Sequence, residues 1–261
     1  MSYIGSTLSR SLLLAALLPV FAAGCAATAD DQELDVADDS SEVGLRGQFE
    51  LLTEADGRYT FTLESGAGDA LLFSQSYTSR YGALNGLLSV LDNGGLASRY
   101  AIETGVDGEY VINLKAGNGQ VIASSAPYEI YSHAARGVDA CISAVATYLE
   151  HWSQVTGARL EVFEGSDHRF YFRLFSRNGA QVLRSQGYSD EASALNGAFL
   201  VAEYGVSPAA YKINQTTTGY YFNLMAPNNR VIATSEVYSS LYNAERARDS
   251  VVALLPTVEL L

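Results

Sequence analysis

The sequence predicts an α+β fold: four β-β-β-α(-β) repeats arranged as two tandem pairs, with antiparallel sheets and helices packed on one face. Three observations indicate this. A Ser-x-x-Tyr tetrapeptide recurs four times, an alternating strand that ends in leucine precedes each copy, and a helical period follows each copy. The four tetrapeptides are Ser74–Tyr77, Ser125–Tyr128, Ser185–Tyr188 and Ser235–Tyr238. Recurrence at a fixed spacing is typical of a repeated supersecondary unit.

The strands of each repeat have a period of two. In the first repeat Tyr59, Phe61 and Leu63 fall on one face of a strand, with Thr60 and Thr62 on the other. A shorter apolar strand precedes this one, and a third strand follows it before the serine. The equivalent alternating segments are residues 110–114, 170–174 and 220–224. Each repeat is therefore predicted to contribute three antiparallel strands.

The turns between the first two strands carry residues suited to a tight hairpin. Gly57 and Gly108 supply the conformational freedom that such a turn requires. His168 occupies the same place in the third repeat, which is a departure from the pattern.

After each tyrosine the period changes to about 3.6 residues, which predicts a helix. Small residues on one face would let the helix approach the sheet closely. They are Ala83, Gly86 and Val90; Ala134, Gly137 and Cys141; Ala194, Gly197 and Val201; and Ala244, Ala247 and Val251. Ser79, Asp190 and Ser240 are predicted N-caps. Since Ile130 stands at this place in the second repeat, its helix is expected to begin later, near Ser132.

The spacing of the repeats divides the chain. Tyr77 and Tyr128 are 51 residues apart, Tyr128 and Tyr188 are 60 apart, and Tyr188 and Tyr238 are 50 apart, so the repeats form two pairs. A pair is large enough for its own core. The predicted organisation is a signal peptide over residues 1–24, a lipidated cysteine with an acidic tether over 25–46, and repeat pairs over 47–155 and 156–261.

The N-terminus resembles a bacterial lipoprotein leader. Arg10 precedes a short apolar run that is too short to span a bilayer, and small residues close it. Ala22-Ala23-Gly24-Cys25 resembles the lipobox, although that motif usually has leucine where Ala22 stands. The resemblance implies cleavage before Cys25 and a lipid anchor on it. The alternative is a secreted protein cut after Ala29, with Cys25 discarded.

Charge is concentrated behind this leader. Residues 28–43 contain seven acidic side chains and no lysine or arginine, which predicts a solvated tether. Of the net charge of −13, about −7 then belongs to the repeats. An acidic body of this kind disfavours nucleic acid as a partner. We therefore expect export to the bacterial cell envelope and attachment to the membrane through the lipid.

No pattern in the chain indicates catalysis, a metal or a cofactor. Cys141 stands where the other repeats have valine, so it is predicted to be a small buried apolar residue. His133, His151 and His168 fall at unrelated places in their repeats and lack metal-ligand spacing. The recurring serine and tyrosine have no base beside them, so they are predicted to be structural rather than nucleophilic. A hydrolase is accordingly disfavoured.

Several segments carry a resemblance to a known family. Residues 113–125, 194–197, 220–224 and 230–235 are similar to the YegP-like family of small tandem-repeat bacterial domains, and the likeness extends over roughly residues 48–254. The resemblance implies that two repeats share one sheet and exchange their last strands. It offers no active site to carry over.

Four side chains form a candidate binding surface in the second pair. Tyr171, Arg173, Tyr221 and Asn223 are predicted on the sheet face that points away from the helices, where they could hold a glycan or an extended peptide. The alternative interpretation is that tyrosine and similar residues are simply good strand formers.

The sequence therefore predicts a non-catalytic, envelope-anchored binding or interaction protein of unknown ligand, with cell-wall glycan or another envelope protein as the candidate partner. The alternative, from another class, is a structural or stress-protective envelope protein that self-associates through open sheet edges.

Overall fold

The computed structural model describes residues 46–258, which form two six-stranded antiparallel sheets with two helices packed on one face of each. The predicted α+β fold of repeated β-β-β-α units is thus confirmed. The signal peptide, Cys25 and nearly all of the acidic tether lie outside the described residues.

The first sheet has the strand order β1-β2-β3-β6-β5-β4. Its strands are β1 (Gln48–Thr53), β2 (Tyr59–Glu64), β3 (Ala70–Ser74), β4 (Tyr100–Thr104), β5 (Tyr110–Lys115) and β6 (Val121–Ser124). Helix α1 (Arg80–Asn93) follows β3, and α2 (Tyr131–Gln154) follows β6.

The second sheet repeats this arrangement, with the order β10-β11-β12-β9-β8-β7. Its strands are β7 (Arg159–Glu164), β8 (Phe170–Phe175), β9 (Gln181–Arg184), β10 (Tyr211–Gln215), β11 (Tyr220–Met225) and β12 (Val231–Thr234). Its helices are α3 (Glu191–Tyr204) and α4 (Leu241–Leu254). Short 3₁₀ helices lie at Ala97–Arg99, Pro208–Ala210 and Leu255–Thr257.

The two repeats of each pair meet along their third strands. β3 pairs with β6 in the first sheet, and β9 pairs with β12 in the second. The strand that follows α1, β4, crosses to the far edge beside β5, whereas the strand that follows α2, β7, opens the second sheet. Within residues 46–258, the exchange of last strands implied by the family resemblance is therefore one-sided, because no described strand returns from α2 to the first sheet.

The hairpin turns adopt the left-handed conformation that the sequence predicted. Gly57 and Gly108 both have φ of 81°. His168 takes the equivalent place with φ of 58°, and Asn229 adopts φ of 62° in a later turn. A non-glycine residue pays a modest conformational cost in this region.

The Ser-x-x-Tyr tetrapeptides join each third strand back to the second strand. The Ser235 Oγ accepts a hydrogen bond of 2.9 Å from the amide of Phe222 and donates to the carbonyl of Glu236. The backbone of Tyr238 then exchanges two hydrogen bonds with that of Tyr220, and its ring stacks on Phe222 with centroids 6.0 Å apart. The serines Ser74, Ser125 and Ser185 accept the equivalent amide bonds in the other repeats.

The small face of each helix lies against this tyrosine. A Cβ added to Gly197 would lie 2.5 Å from the Tyr188 hydroxyl, and one added to Gly137 would lie 2.6 Å from the Tyr128 hydroxyl. Glycine is therefore required where the helix crosses the ring.

All three predicted N-caps are present. Ser79, Asp190 and Ser240 each accept a hydrogen bond from a backbone amide in the first turn. The predicted late start of α2 near Ser132 is wrong, since the helix begins at Tyr131 with Ile130 at the N-cap. The Ile130 carbonyl accepts the amides of His133 and Ala134, so the first turn closes without a side-chain cap.

The two repeat pairs contact each other through α1 and α3. Both helices bury residues around most of their circumference, which is typical of helices enclosed on two sides. At the margin, Arg80 pairs with Glu203 at 3.0 Å, and its guanidinium lies 5.8 Å from the Phe199 ring centroid. Among residues 46–258, no helix combines the length and apolar character needed to cross a membrane.

Candidate functional site

The second sheet has one covered face and one open face. On β8, Phe172 and Leu174 are buried beneath the helices, while Tyr171 and Arg173 alternate with them on the open side. Tyr221 and Asn223 alternate in the same way on β11. All four candidate residues therefore lie on the open face, but the structure does not bring them into one site.

A cleft of about 790 Å³ lies on part of this face. Two candidate residues, Tyr171 and Arg173, line it, and Tyr221 and Asn223 do not. The lining residues are Phe163, Gly165, Ser166, Asp167, Tyr171, Phe172, Arg173, Gln181, Arg184, Ser185, Gln186 and Thr234.

Arg173 is held in a wall of the cleft. Its guanidinium donates to Glu161 at 2.9 Å and lies 4.4 Å from the ring centroid of Phe163 and 4.9 Å from that of Phe175. Arg159 donates to the same Glu161 carboxylate at 3.1 Å. Because Glu161 is only 7% exposed, its pairing with these arginines offsets the cost of burying it. The charge of Arg173 is thus largely used within the protein.

Tyr171 is also held in place. Its ring stacks on Phe163 with centroids 5.7 Å apart, and its hydroxyl donates to Asp167 at 2.7 Å. This hydrogen bond lowers the pKa of Asp167 and raises that of Tyr171. Gly165 and Gly187 flank this side chain closely: a Cβ on Gly165 would lie 2.8 Å from the ring, and one on Gly187 would lie 2.8 Å from the hydroxyl.

The groups that remain available to a ligand come from residues that the sequence reasoning missed. Arg184, Gln181 and Gln186 line the cleft with exposed side chains. Their signal was present, because Arg184 follows the buried Leu183 on β9, and the period of two places it on the open face. Only the second strand of each repeat was read for this face, so the third strand was overlooked.

Pairing across the strands places these side chains in one row. Adjacent strands align Lys212 with Asn223, Asn223 with Thr234, Thr234 with Arg184, and Arg184 with Arg173. Arg173 in turn lies opposite Glu161. Like charges directly opposite each other are unfavourable, and of Arg184 and Arg173 it is Arg173 that pairs with the Glu161 carboxylate. Within the part of the chain that the structure describes, the Arg184 guanidinium makes no ion pair.

The open face of the first sheet has the opposite charge. Its corresponding row aligns Ala101, Asn113, Ser124, Phe73, Thr62 and Glu50. Within the described strands this face carries the carboxylates Glu50, Glu64 and Glu103 and the ammonium of Lys115. The second sheet presents Arg159, Arg173, Arg184 and Lys212 against Glu161. The two faces have diverged although the repeats share one architecture.

Residues 46–258 hold no group of three or more histidine, cysteine or acidic side chains that could bind a metal ion. Cys141 is fully buried, and burial raises the pKa of its thiol to about 12, so it stays protonated at neutral pH. The exposed His168 pairs with Glu164 at the β7–β8 turn.

A family model for a domain of unknown function, DUF1508, matches residues 106–147, 166–211 and 217–260, about half of the chain. The chain belongs to the DUF1508 family. The matched segments fall in the second, third and fourth repeats, which agrees with the repeats defined by strand pairing.

Small bacterial proteins are similar to this chain in sequence. The chain is 39% identical over 84 residues to the UPF0339 protein YegP of Escherichia coli K12, which covers 32% of this chain and 76% of the relative. It is 38% identical over 84 residues to a UPF0339 protein of Shewanella oneidensis, with the same shares covered. The solution NMR structure of E. coli yegP, a protein of unknown function, is 34% identical, with a TM-score of 0.37, and covers 39% of this chain and 87% of that one.

Proposed function

We propose that this chain is a non-catalytic binding protein of the bacterial cell envelope and that the open face of the second sheet is its ligand-binding surface. The cleft beside Arg184 is the observation that carries this proposal. Its wall is rigid, since Tyr171 and Arg173 are fixed by Asp167 and Glu161. A preformed wall next to exposed hydrogen-bonding groups lowers the entropic cost of binding.

The location is proposed from the sequence. The apolar leader followed by Cys25 supports export and lipid anchoring, and the acidic segment over residues 28–43 would hold the repeats away from the membrane. The partner is accordingly sought in the envelope, as a cell-wall glycan or an envelope protein.

Co-sedimentation with an isolated envelope fraction tests the binding surface. The Cys25→Ser chain, which lacks the proposed lipid anchor, is expected to sediment with the envelope fraction. Adding Arg184→Glu to this chain should abolish sedimentation because it reverses the exposed charge in the cleft. Arg136→Glu is the matched control, since Arg136 is exposed on α2, away from the open face. If the two variants sediment equally well, the open face is not the binding surface.

Membrane attachment is tested separately. The Cys25→Ser variant should be released from washed membranes because it lacks the acceptor for the lipid. Continued attachment of this variant would rule out lipid anchoring through Cys25.

A second candidate function is self-association. Each sheet leaves two strands at its edges, β1 and β4 in the first sheet and β7 and β10 in the second. Edge strands can pair with those of another copy. Sedimentation velocity over a range of concentrations decides this, since a chain that stays monomeric at all concentrations excludes assembly through the edges.

A further inference from the structure

The open face of the second sheet presents hydrogen-bond donors in a line. We name Lys212, Asn223 and Arg184 the donor row; Thr234 lies between the last two. The Thr234 hydroxyl donates to the Asn223 Oδ1 at 2.9 Å, so the amide oxygen is occupied and the amide nitrogen stays available. Within residues 46–258, that nitrogen, the Lys212 ammonium and the Arg184 guanidinium make no hydrogen bond. Lysine and arginine side chains have donors only.

In the corresponding row of the first sheet, the asparagine side chain has hydrogen-bond partners within the protein for both its nitrogen and its oxygen. There the Asn113 amide nitrogen donates to Glu103 at 3.0 Å, while its oxygen accepts from Ser124 at 2.6 Å. In the fourth repeat Asn214 stands where the second repeat has Glu103, and Lys212 stands where it has Ala101. These two differences remove the internal acceptor and add a cation.

The third repeat differs from the first in the same direction. Arg184 occupies the place of Phe73, and Arg173 that of Thr62. Both halves of the second sheet have therefore gained donors at positions where the first sheet is acidic or uncharged. A row whose two charged groups and free amide nitrogen are all donors is complementary to a ligand rich in acceptors and negative charge.

The length of the row selects an extended ligand. Lys212 and Arg184 lie on β10 and β9, which are three strand spacings apart in the sheet order. At about 4.8 Å per spacing, the two cations are separated by roughly 14 Å across an open sheet. A small anion could reach one of them, whereas a chain with charges at intervals could reach both.

Resting on the proposed envelope function, we infer that the donor row binds a linear acidic polysaccharide that lies across the strands. Carboxylates of the sugar chain would face Lys212 and Arg184, and its hydroxyls would meet the amides of Gln181 and Gln186 in the adjoining cleft. A nucleic acid is a poorer match, because its binding depends on many cationic contacts to closely spaced phosphates and the donor row supplies two cations, Lys212 and Arg184.

Calorimetric titration of the full chain with an oligomer of eight galacturonic acid units tests this inference. The methyl ester of the same oligomer is the neutral counterpart, and an octaglutamate peptide is the acidic counterpart without sugar. We expect the galacturonate oligomer to bind about tenfold more tightly than its ester, with added salt weakening the binding. Arg184→Gln and Lys212→Gln should each reduce the affinity about fivefold or more, and Arg136→Gln should leave it unchanged.

Each contrary result has a separate meaning. Equal binding of the ester, equal or tighter binding of octaglutamate, or unchanged affinity in Arg184→Gln would overturn the inference of an acidic polysaccharide. So would failure of all three probes to bind. The envelope co-sedimentation of the Cys25→Ser chain would still decide the proposed function, because it makes no assumption about the ligand.

Discussion

At the scale of single residues, four serines have the same role: each accepts a hydrogen bond from a backbone amide of the second strand. Where each third strand ends, the amide in the middle of the second strand would lose its partner, and the serine hydroxyl accepts from it instead. In the fourth repeat Ser235 is 7% exposed and serves the amide of Phe222 in a buried position. A buried backbone amide without a hydrogen-bond partner lowers the stability of the fold. Serine therefore recurs at this position because its hydroxyl supplies the missing acceptor.

The Ser235→Ala variant tests this role. Removal of the hydroxyl leaves the Phe222 amide buried and unpartnered, so we expect the free energy of unfolding to fall by about 1–3 kcal/mol. Urea denaturation measures this change. Ser250→Ala is the control, since Ser250 is exposed on α4 and bonds only within its own helix. Equal stability of both variants would contradict the structural role of Ser235.

The roles of residues that depend on their neighbours in the chain could be predicted from the sequence. The roles of residues that depend on how the strands pair could be predicted less well. The turn position of His168 and the serine at the strand end could be read from neighbouring residues. The neutralisation of Arg173 by Glu161 could not, because those residues are 12 apart in the chain and meet only through pairing of β7 with β8. Arg184 could have been placed on the open face by the alternation of β9.

At the scale of elements, the helices contain glycine, a weak helix former, at positions where they pack closely against the sheet. Gly197 lies in the middle of α3, where glycine costs about 1 kcal/mol relative to alanine. The space that a side chain would need is occupied by Tyr188 and Phe172. The close contact between the Tyr188 ring and the helix therefore explains why glycine stands at residue 197, although alanine would favour the helix more.

The Gly197→Ala variant is expected to lose about 1–3 kcal/mol of stability, because the new methyl group would lie 2.5 Å from the Tyr188 hydroxyl and 2.8 Å from the Phe172 ring. The double variant with Tyr188→Phe should recover part of this loss. Gly95→Ala is the control, since nothing lies within 4 Å of its added Cβ. Thermal unfolding compares the variants, and stabilisation by Gly197→Ala would contradict the tight crossing.

Packing between elements was the part of the fold that the sequence reasoning did not reach. The contact between α1 and α3 had a signal in the wide apolar face of α1, which extends from Gly86 and Val90 on one side to Leu88 on the other and exceeds what one sheet can cover. A period of 3.6 residues by itself predicts one buried face and does not predict a second contact on the same helix. The one-sided strand exchange depends on where the chain goes after α2, which no local pattern specifies.

At the scale of the whole molecule, the two repeat pairs have the same fold but different side chains on the open faces of their sheets. The covered faces hold the same serine, tyrosine and small helix residues, so they are constrained by packing. The open faces are free of that constraint, and there the first sheet is acidic and the second cationic. Function is therefore expected where the repeats differ.

Several buried or half-buried tyrosines predict that the whole fold loses stability at alkaline pH. Burial raises the pKa of Tyr238 to about 12, and it raises the pKa values of Tyr100 and Tyr211 as well. Tyrosine in an unfolded chain ionises near pH 10. A raised folded pKa stabilises the fold below about pH 10, and this contribution is lost as pH rises through the folded value.

We therefore expect urea midpoints to be lower at pH 11 than at pH 8, with part of the tyrosinate absorbance appearing only as the chain unfolds. Far-ultraviolet circular dichroism monitors the fold during the same titration. Ionisation of these tyrosines near pH 10 with the fold intact would contradict their burial.

Arginine modification tests the central claim, that the open face of the second sheet binds an envelope ligand. The folded chain is treated with phenylglyoxal, with and without the envelope fraction, and the rate at each arginine is followed by mass spectrometry. We predict that the envelope fraction slows modification of Arg184 and leaves that of Arg136 unchanged. Equal rates at Arg184 in both conditions would contradict the claim.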